Sequence, residues 1–235
     1  TADEIQRYGH RTLLDVFNSL PGFQTSYDRN FGYIGTRGFG VPGDYNTRIL
    51  ILIDGHRVNE NIYDGATPDK GFLVDIDLID RIEVVRGPAS SLYGGSAFLA
   101  VINVITKTGR DIQGAEVSLA TGSEQNHQAR LSYGNRLDNG IELLVSASLG
   151  DRKGHERLYY AEFDDPSTNN GFAENADDAS NQNLLVNLSY GDFTVSALYQ
   201  QYEKGIPTAS YESIFNDPGT RTLESRAYLE FKYQH

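Results

Sequence analysis

The sequence contains no cysteine, so it offers neither disulfides nor thiolate metal ligands, and its redox compartment has to be read from other features. Basic residues are scarce. Twenty Lys and Arg against 32 Asp and Glu leave a net charge of -12, with no basic patch anywhere along the chain. That balance excludes a nucleic-acid partner, because neutralising phosphates takes an excess of Lys and Arg. Long apolar runs are missing too. The longest are ILILI (Ile49–Ile53) and AFLAVINVI (Ala97–Ile105), far short of the roughly 18–20 residues a membrane helix needs. Hydrophobic content is 39% and mean hydropathy -0.45, low for a wholly soluble globule. A membrane role is left only to a β-barrel, the other structure that satisfies its own backbone in lipid. There is no initiator Met and no signal peptide, which predicts a processed or trimmed N-terminus.

What is present suits short strands and many turns: 24 glycines and 15 tyrosines in 235 residues, enough chain for one large domain or two ordinary ones. The first hundred or so residues mix helix and strand signals. TADEIQRYG pairs Thr1 with Glu4 as a capping box and offers Gly9 as a stop. In RTLLDVFNSLPG, Thr12 caps, Leu13, Val16, Phe17 and Leu20 share a helical face, and Pro21-Gly22 ends it. RILILIDGHRV (Arg48–Val58) reads as a buried strand broken by an Asp54-Gly55 turn, and DLIDRIEVVRGP as another, closed by Gly87-Pro88. ASSLYGG is about one helical turn. AVINVITK is β-branched without clean alternation, which predicts a strand covered on both faces. The expectation is a compact α+β unit over residues 1–110.

Over residues 111–235 the pattern changes to about six segments of alternating character, each roughly nine to eleven residues. Ala115, Val117 and Leu119 oppose Glu116 and Ser118; Ala227, Leu229, Phe231 and Tyr233 oppose Glu230, Lys232 and Gln234. Leu144 breaks the rule in its own segment. On alternation alone, strands crossing a bilayer and a soluble antiparallel sandwich fit equally. The connections favour the barrel. Tight turns at Asn135–Gly140 and Gly191-Asp192 alternate with long polar loops near Lys153–Asn181 and Lys204–Glu224. Six strands are too few to close a barrel, which takes at least about eight, so the expectation is a fragment.

Enzyme motifs fail on their parts. GTRGFG and LYGGSAF do not continue into the Gly-Lys-Ser/Thr of a phosphate loop, and GGSAF lacks the last glycine of a nucleophile elbow. His10, His56, His127, His155 and His235 are scattered without ligand spacing. No catalytic residue and no cofactor are expected. The acidic loop Ala161–Asp178 offers Asp164, Asp165, Asp177 and Asp178 as a weak Ca²⁺ candidate, without the spacing of a defined calcium loop.

RIEVVRGPASSLYGGSAFLAVINVITK (Arg81–Lys107), preceded by DVFNSLPGF, GTRGFG and ILILIDGHRVN, resembles the plug-domain signature of TonB-dependent outer-membrane transporters. The resemblance covers essentially the whole chain and implies an α+β plug followed by the first antiparallel strands of a barrel of about 22 strands. It implies no enzyme activity but energy-coupled uptake of a metal chelate, a ferric siderophore or cobalamin, across the outer membrane of a Gram-negative bacterium. The implied partners are outer-membrane lipid and TonB, the latter through an N-terminal segment not present here. Arg37 and Arg86 match positions of the family's plug–barrel charge cluster. Gly87, Pro88, Gly94 and Gly95 match its structural turns. The plug's outward apices would be about Tyr27–Ile34 and Asn61–Lys70, with Tyr33, Asn61, Tyr63 and Asp64 as ligand contacts. The competing reading is a secreted or surface-exposed β-rich binding or adhesion protein.

Overall fold

The computed structural model describes residues 1–234. The chain divides into two units, Thr1–Lys107 and Thr108–His235.

The first unit opens with two short helices, each built as the sequence dictates. In α1 (Ala2–Tyr8) the Thr1 hydroxyl and amine both donate to Glu4, and Gly9 turns left-handed at φ 69 to end the helix. In α2 (Leu13–Ser19) the Thr12 hydroxyl accepts the Asp15 N–H while Asp15 accepts the Thr12 N–H. Leu13, Val16 and Phe17 are buried, while Leu20 is already extended. The hairpin β1 (Phe23–Tyr27) and β2 (Gly32–Thr36) follows, its turn confined to residues 28–31.

Next come β3 (Ile49–Ile53), the short β4 (His56–Arg57), β5 (Ile79–Arg86), the one-turn α3 (Ser90–Tyr93) and β6 (Ala100–Thr106). These strands form a four-stranded mixed sheet in the order β4-β3-β6-β5, with β3 parallel to β6. Every residue of β3 is buried, and most of β6, which lies between β3 and β5. This is the coverage on both faces that a β-branched run without alternation requires. Each aliphatic side chain so buried contributes roughly 1.5–3 kcal/mol.

The irregular segments of this unit are held by buried amides and carboxylates. Asn46 Oδ1 accepts the Ile34 N–H at 2.8 Å, and its Nδ2 donates to Gly32 O and Ala66 O, each at 2.8 Å. Asp69 Oδ2 accepts the Gly32 N–H at 2.8 Å. These bonds explain a strand the sequence hides. β2 is GYIGT, with no period-2 signal, and it is buried throughout because Asn46 and Asp69 satisfy it.

The second unit begins with α4 (Gly109–Ile112) and continues through β7 (Gly114–Gly122), β8 (Asn126–Arg136) and β9 (Glu142–Arg152). The hairpin β10 (Arg157–Tyr159) and β11 (Phe172–Glu174) lies within the following connection. After it come β12 (Ala179–Tyr190), β13 (Phe193–Gly205) and β14 (Arg221–Tyr233). The sheet is an antiparallel meander in the order β14-β13-β12-β9-β8-β7, with β14 and β7 as its edges. The last three strands run 12, 13 and 13 residues, longer than the alternation suggests. Pairs such as Tyr202 with Glu224 and Lys204 with Thr222 extend the ladder into what reads as loop.

Register sorts the side chains into two faces. Leu131, Ala147, Leu184, Tyr199 and Ala227 stand side by side on one, and Arg130, Ser148, Asn183, Gln200 and Arg226 on the other. On the apolar face Leu119, Leu149 and Phe231 are 78%, 60% and 73% exposed, with no second sheet over them among the described residues. The opposite face is polar but buried: Ser132, Gln200 and Lys204 have no exposure. Leu144 falls on this face with Leu185 and Leu198, all buried, which is why it interrupts the alternation.

Candidate functional site

The exposed tip of the first unit is the loop after Asn59, and it is built around one carboxylate. Glu60 Oε2 accepts the N–H of Ile62 at 2.6 Å; its Oε1 accepts the N–H of Tyr63 at 2.5 Å and of Gly65 at 3.1 Å. The Glu60 N–H donates to Gly65 O at 2.9 Å, closing the turn on itself. Asn59 anchors the loop to β3: its Oδ1 accepts the Ile51 N–H, and its Nδ2 donates to Ile49 O and Asp64 O. Arg57 Nη2 reaches Asp64 Oδ1 at 2.7 Å and Ser96 Oγ at 3.2 Å. With the backbone so satisfied, the side chains of Ile62 and Tyr63 project outward, 80% and 77% exposed.

Asn61, Tyr63 and Asp64 therefore share one rigid, exposed tip, whereas residues 65–69 turn inward and are buried. Asp64 enters the tip with its charge already met by Arg57. Ile62 and the organising Glu60 were missed in the sequence. The signal available was the carboxylate two and three residues before amides that precede Gly65.

Tyr33 stands apart from that tip. It lies in β2, 4% exposed, with its hydroxyl donating to Asp28 Oδ2 at 2.7 Å and its ring 6.4 Å from that of Tyr45. Burial, and then the Asp28 carboxylate, push its phenol well above the usual range, so it stays protonated. The hairpin that carries it presents only residues 28–31 as a turn, which narrows the Tyr27–Ile34 apex accordingly.

Arg37 and Arg86 come close together. Both are exposed, and a Cβ on Gly87 would lie 3.8 Å from Arg37 Nη1. The Arg86 guanidinium sits 5.3 Å from the Phe23 ring centroid. Among the described residues neither guanidinium has a carboxylate partner. Of the turn residues, Gly87 and Gly94 adopt φ +103 and +78, which L side chains rarely reach. Pro88 follows Gly87 directly. Gly95 has neither a positive φ nor a close neighbour, so its backbone makes no demand for glycine.

The four aspartates of the acidic loop do not converge. Asp164 accepts the Tyr159 hydroxyl, and Asp165 the Ser167 N–H and hydroxyl. Asp177 is bound by Lys204 and Asp178 by Arg221. The group with metal-like spacing among the described residues is Glu124, His155 and Asp177, whose ligand atoms lie within 4.8 Å of one another. Its carboxylates already hold Arg152 and Lys204 at 3.2 and 2.9 Å. His155 is thus not isolated, although its neighbours are far away in sequence; His235 lies outside the described residues.

Residues 1–101 match the model of the TonB-dependent receptor plug domain. Among curated proteins the chain is similar to the vitamin B12 transporter BtuB of Vibrio vulnificus (strain CMCP6), 29% identical over 226 residues, covering 96% of this chain and 30% of that transporter. Among solved structures, the FrpB iron transporter of Neisseria meningitidis (F3-3 variant) superposes with a TM-score of 0.65 at 17% identity, over 94% of this chain and 35% of that one. The pyoverdine outer-membrane receptor FpvA of Pseudomonas aeruginosa PAO1 does so with 0.60 at 22% identity, over 83% and 26%. These structural likenesses show a shared fold, and the chain spans less than a third of the length of the curated relative. The first unit is thus similar to the plug domain of the TonB-dependent receptors, and the antiparallel strand meander after it shares its fold with solved outer-membrane receptors.

Proposed function

We propose that this chain is the plug and the first wall strands of an outer-membrane receptor that takes up a metal chelate at the expense of energy delivered through TonB. The observation that carries the reading is the uncovered apolar face of the six-stranded sheet. Large exposed apolar patches mark surfaces meant for lipid or a partner. Here the patch runs across consecutive strands opposite a largely polar face, as in a barrel wall. A soluble adhesion module would bury that face under a second sheet.

The same reading makes residues 1–110 a plug and residues 111–235 the beginning of the wall. It places Asn61, Ile62, Tyr63 and Asp64 at the ligand, where an aromatic ring, an aliphatic side chain and polar groups suit a chelate with both apolar and hydrogen-bonding faces. Arg37 and Arg86 serve as plug anchors that take their carboxylate partners from wall strands. TonB pulls on a segment preceding Thr1, and the protein itself catalyses no reaction. The names of the relatives, a vitamin B12 transporter and iron or pyoverdine receptors, support a metal chelate as the cargo class.

The test is uptake by a Gram-negative host lacking its own receptors and expressing the intact protein, given labelled cobalamin or ferric siderophores with and without functional TonB. Accumulation of one chelate that disappears without TonB is expected. Recovery of the protein in the soluble fraction without detergent, with no chelate accumulated, would return the adhesion reading.

A further inference from the structure

The connections that follow β7, β9 and β13 are tied to one another around one buried ion pair. Lys204, near the end of β13, has no solvent exposure, nor has Asp177, whose Oδ1 accepts from Lys204 Nζ at 2.9 Å. Lys204 Nζ also donates to Gly205 O at 2.5 Å. Asp177 Oδ2 accepts the His155 N–H at 3.2 Å. The next residue, Asp178, takes Arg221, at the head of β14, at 3.1 and 2.6 Å. From the connection after β7, Glu124 meets Arg152 at 3.2 Å and His155 Nε2 at 3.3 Å, and its carbonyl accepts the Gly154 N–H at 3.2 Å. Gly154 has φ +70, and a Cβ there would fall 2.1 Å from Asp177 O, so the two ends of that loop touch backbone to backbone. Farther out the loops interlock. Phe163 stacks on Phe215 at 4.2 Å, Tyr160 meets Phe215 edge-on, and the Glu174 N–H donates to Asn216 Oδ1 at 2.8 Å.

We propose that Lys204 is the positioning residue that makes residues 153–178 and 206–220 a single body, serving as the internal cation for an otherwise self-repelling acidic loop. A carboxylate enters a dry site only with a cation beside it. For Asp177 the lysine ammonium fills that place, while the partly exposed Glu124 and Asp178 are paired with Arg152 and Arg221. A divalent ion among Glu124, His155 and Asp177 would have to displace Lys204 and Arg152, so the order of both loops is independent of added metal. The loops therefore open together or not at all, whatever chelate the receptor takes.

The experiment is limited proteolysis of the intact receptor in outer-membrane vesicles, with cleavage sites mapped, in EDTA and in Ca²⁺. Wild type should resist equally in both. Lys204→Met should be cleaved in both segments together, faster by on the order of a hundredfold, while heat-modifiable gel migration shows the barrel still folded. Asp177→Asn, which conserves volume, reads the same coupling should Lys204→Met not assemble. Opening of the wild-type loops by EDTA, or cleavage of residues 153–178 alone in the variants, or continued protection of both, would overturn the proposal.

Discussion

The Glu60 carboxylate accepts the backbone N–H of Tyr63 at 2.5 Å and thereby sets the angle at which the tyrosine leaves the first unit. The bond is charge-assisted and shares its acceptor with the Ile62 and Gly65 amides, so the tip is organised before any ligand arrives. Glu60→Ala should release three amides and let the tip fray. Bonds of this kind contribute about 1.5–3 kcal/mol each, but solvent replaces much of that at an exposed loop, so a loss of roughly tenfold in ligand affinity is expected. Binding titration of the intact receptor checks it. An unchanged dissociation constant would mean that the tip takes no part in recognition.

Ile62 contacts the ligand, by our reading, through apolar surface alone. Ile62→Asp should weaken binding while leaving the folded plug unaltered, because the side chain is 80% exposed and touches none of the core. Parallel measurement of thermal unfolding and of ligand affinity separates the effects. A drop in stability with affinity intact would show the side chain to be structural.

Arg37 and Arg86 flank Gly87 without a carboxylate of their own among the described residues. Their role as anchors predicts that Arg86→Ala, and more so the Arg37→Ala/Arg86→Ala pair, loosens the plug. Cells carrying the variants should admit large antibiotics that the wild-type receptor excludes, and the plug should be proteolysed faster. Permeability and proteolysis at wild-type levels would remove the anchoring role.

Leu131 stands on the apolar face at the middle of β8 and is 59% exposed. If lipid covers that face, Leu131→Arg should cost about 2–4 kcal/mol at the bilayer midplane. Folding into lipid vesicles, followed against urea, measures the difference. In water the same change would be close to neutral, so a neutral result would take the lipid away.

Asp177 carries the pH dependence of the outer loops. Burial opposes its ionisation, but the Lys204 ammonium, with the His155 N–H and Arg152, outweighs burial and holds the carboxyl below its usual 3.8. A carboxylate with a depressed folded-state pKa stabilises the fold fully above its unfolded value, and that contribution is lost as pH falls through the folded value. Loop order should thus be constant down to about pH 5 and decline below roughly pH 4. Pepsin cleavage within residues 153–178, followed from about pH 5 downward, reads it. In Asp177→Asn that acid-dependent step should be absent, and an identical step in the variant would assign it elsewhere.

The sequence by itself determined the two-part organisation, the caps of α1 and α2, the doubly covered β6 and the alternating strands, because each is written in nearest-neighbour chemistry: a capping residue three positions from its partner, a β-branched run, a period of two. Those signals are local and survive without knowledge of what packs where. Only the tertiary structure decided that Tyr33 is buried beside Asp28, that β2 is a strand at all, that Glu60 shapes the exposed tip, and that Lys204 rather than a solvent cation meets Asp177. Each of those depends on a partner brought in by folding or on which side of a strand faces a dry environment. Desolvation acts on a place in space, and an ordered list of residues carries no record of it until the chain has folded.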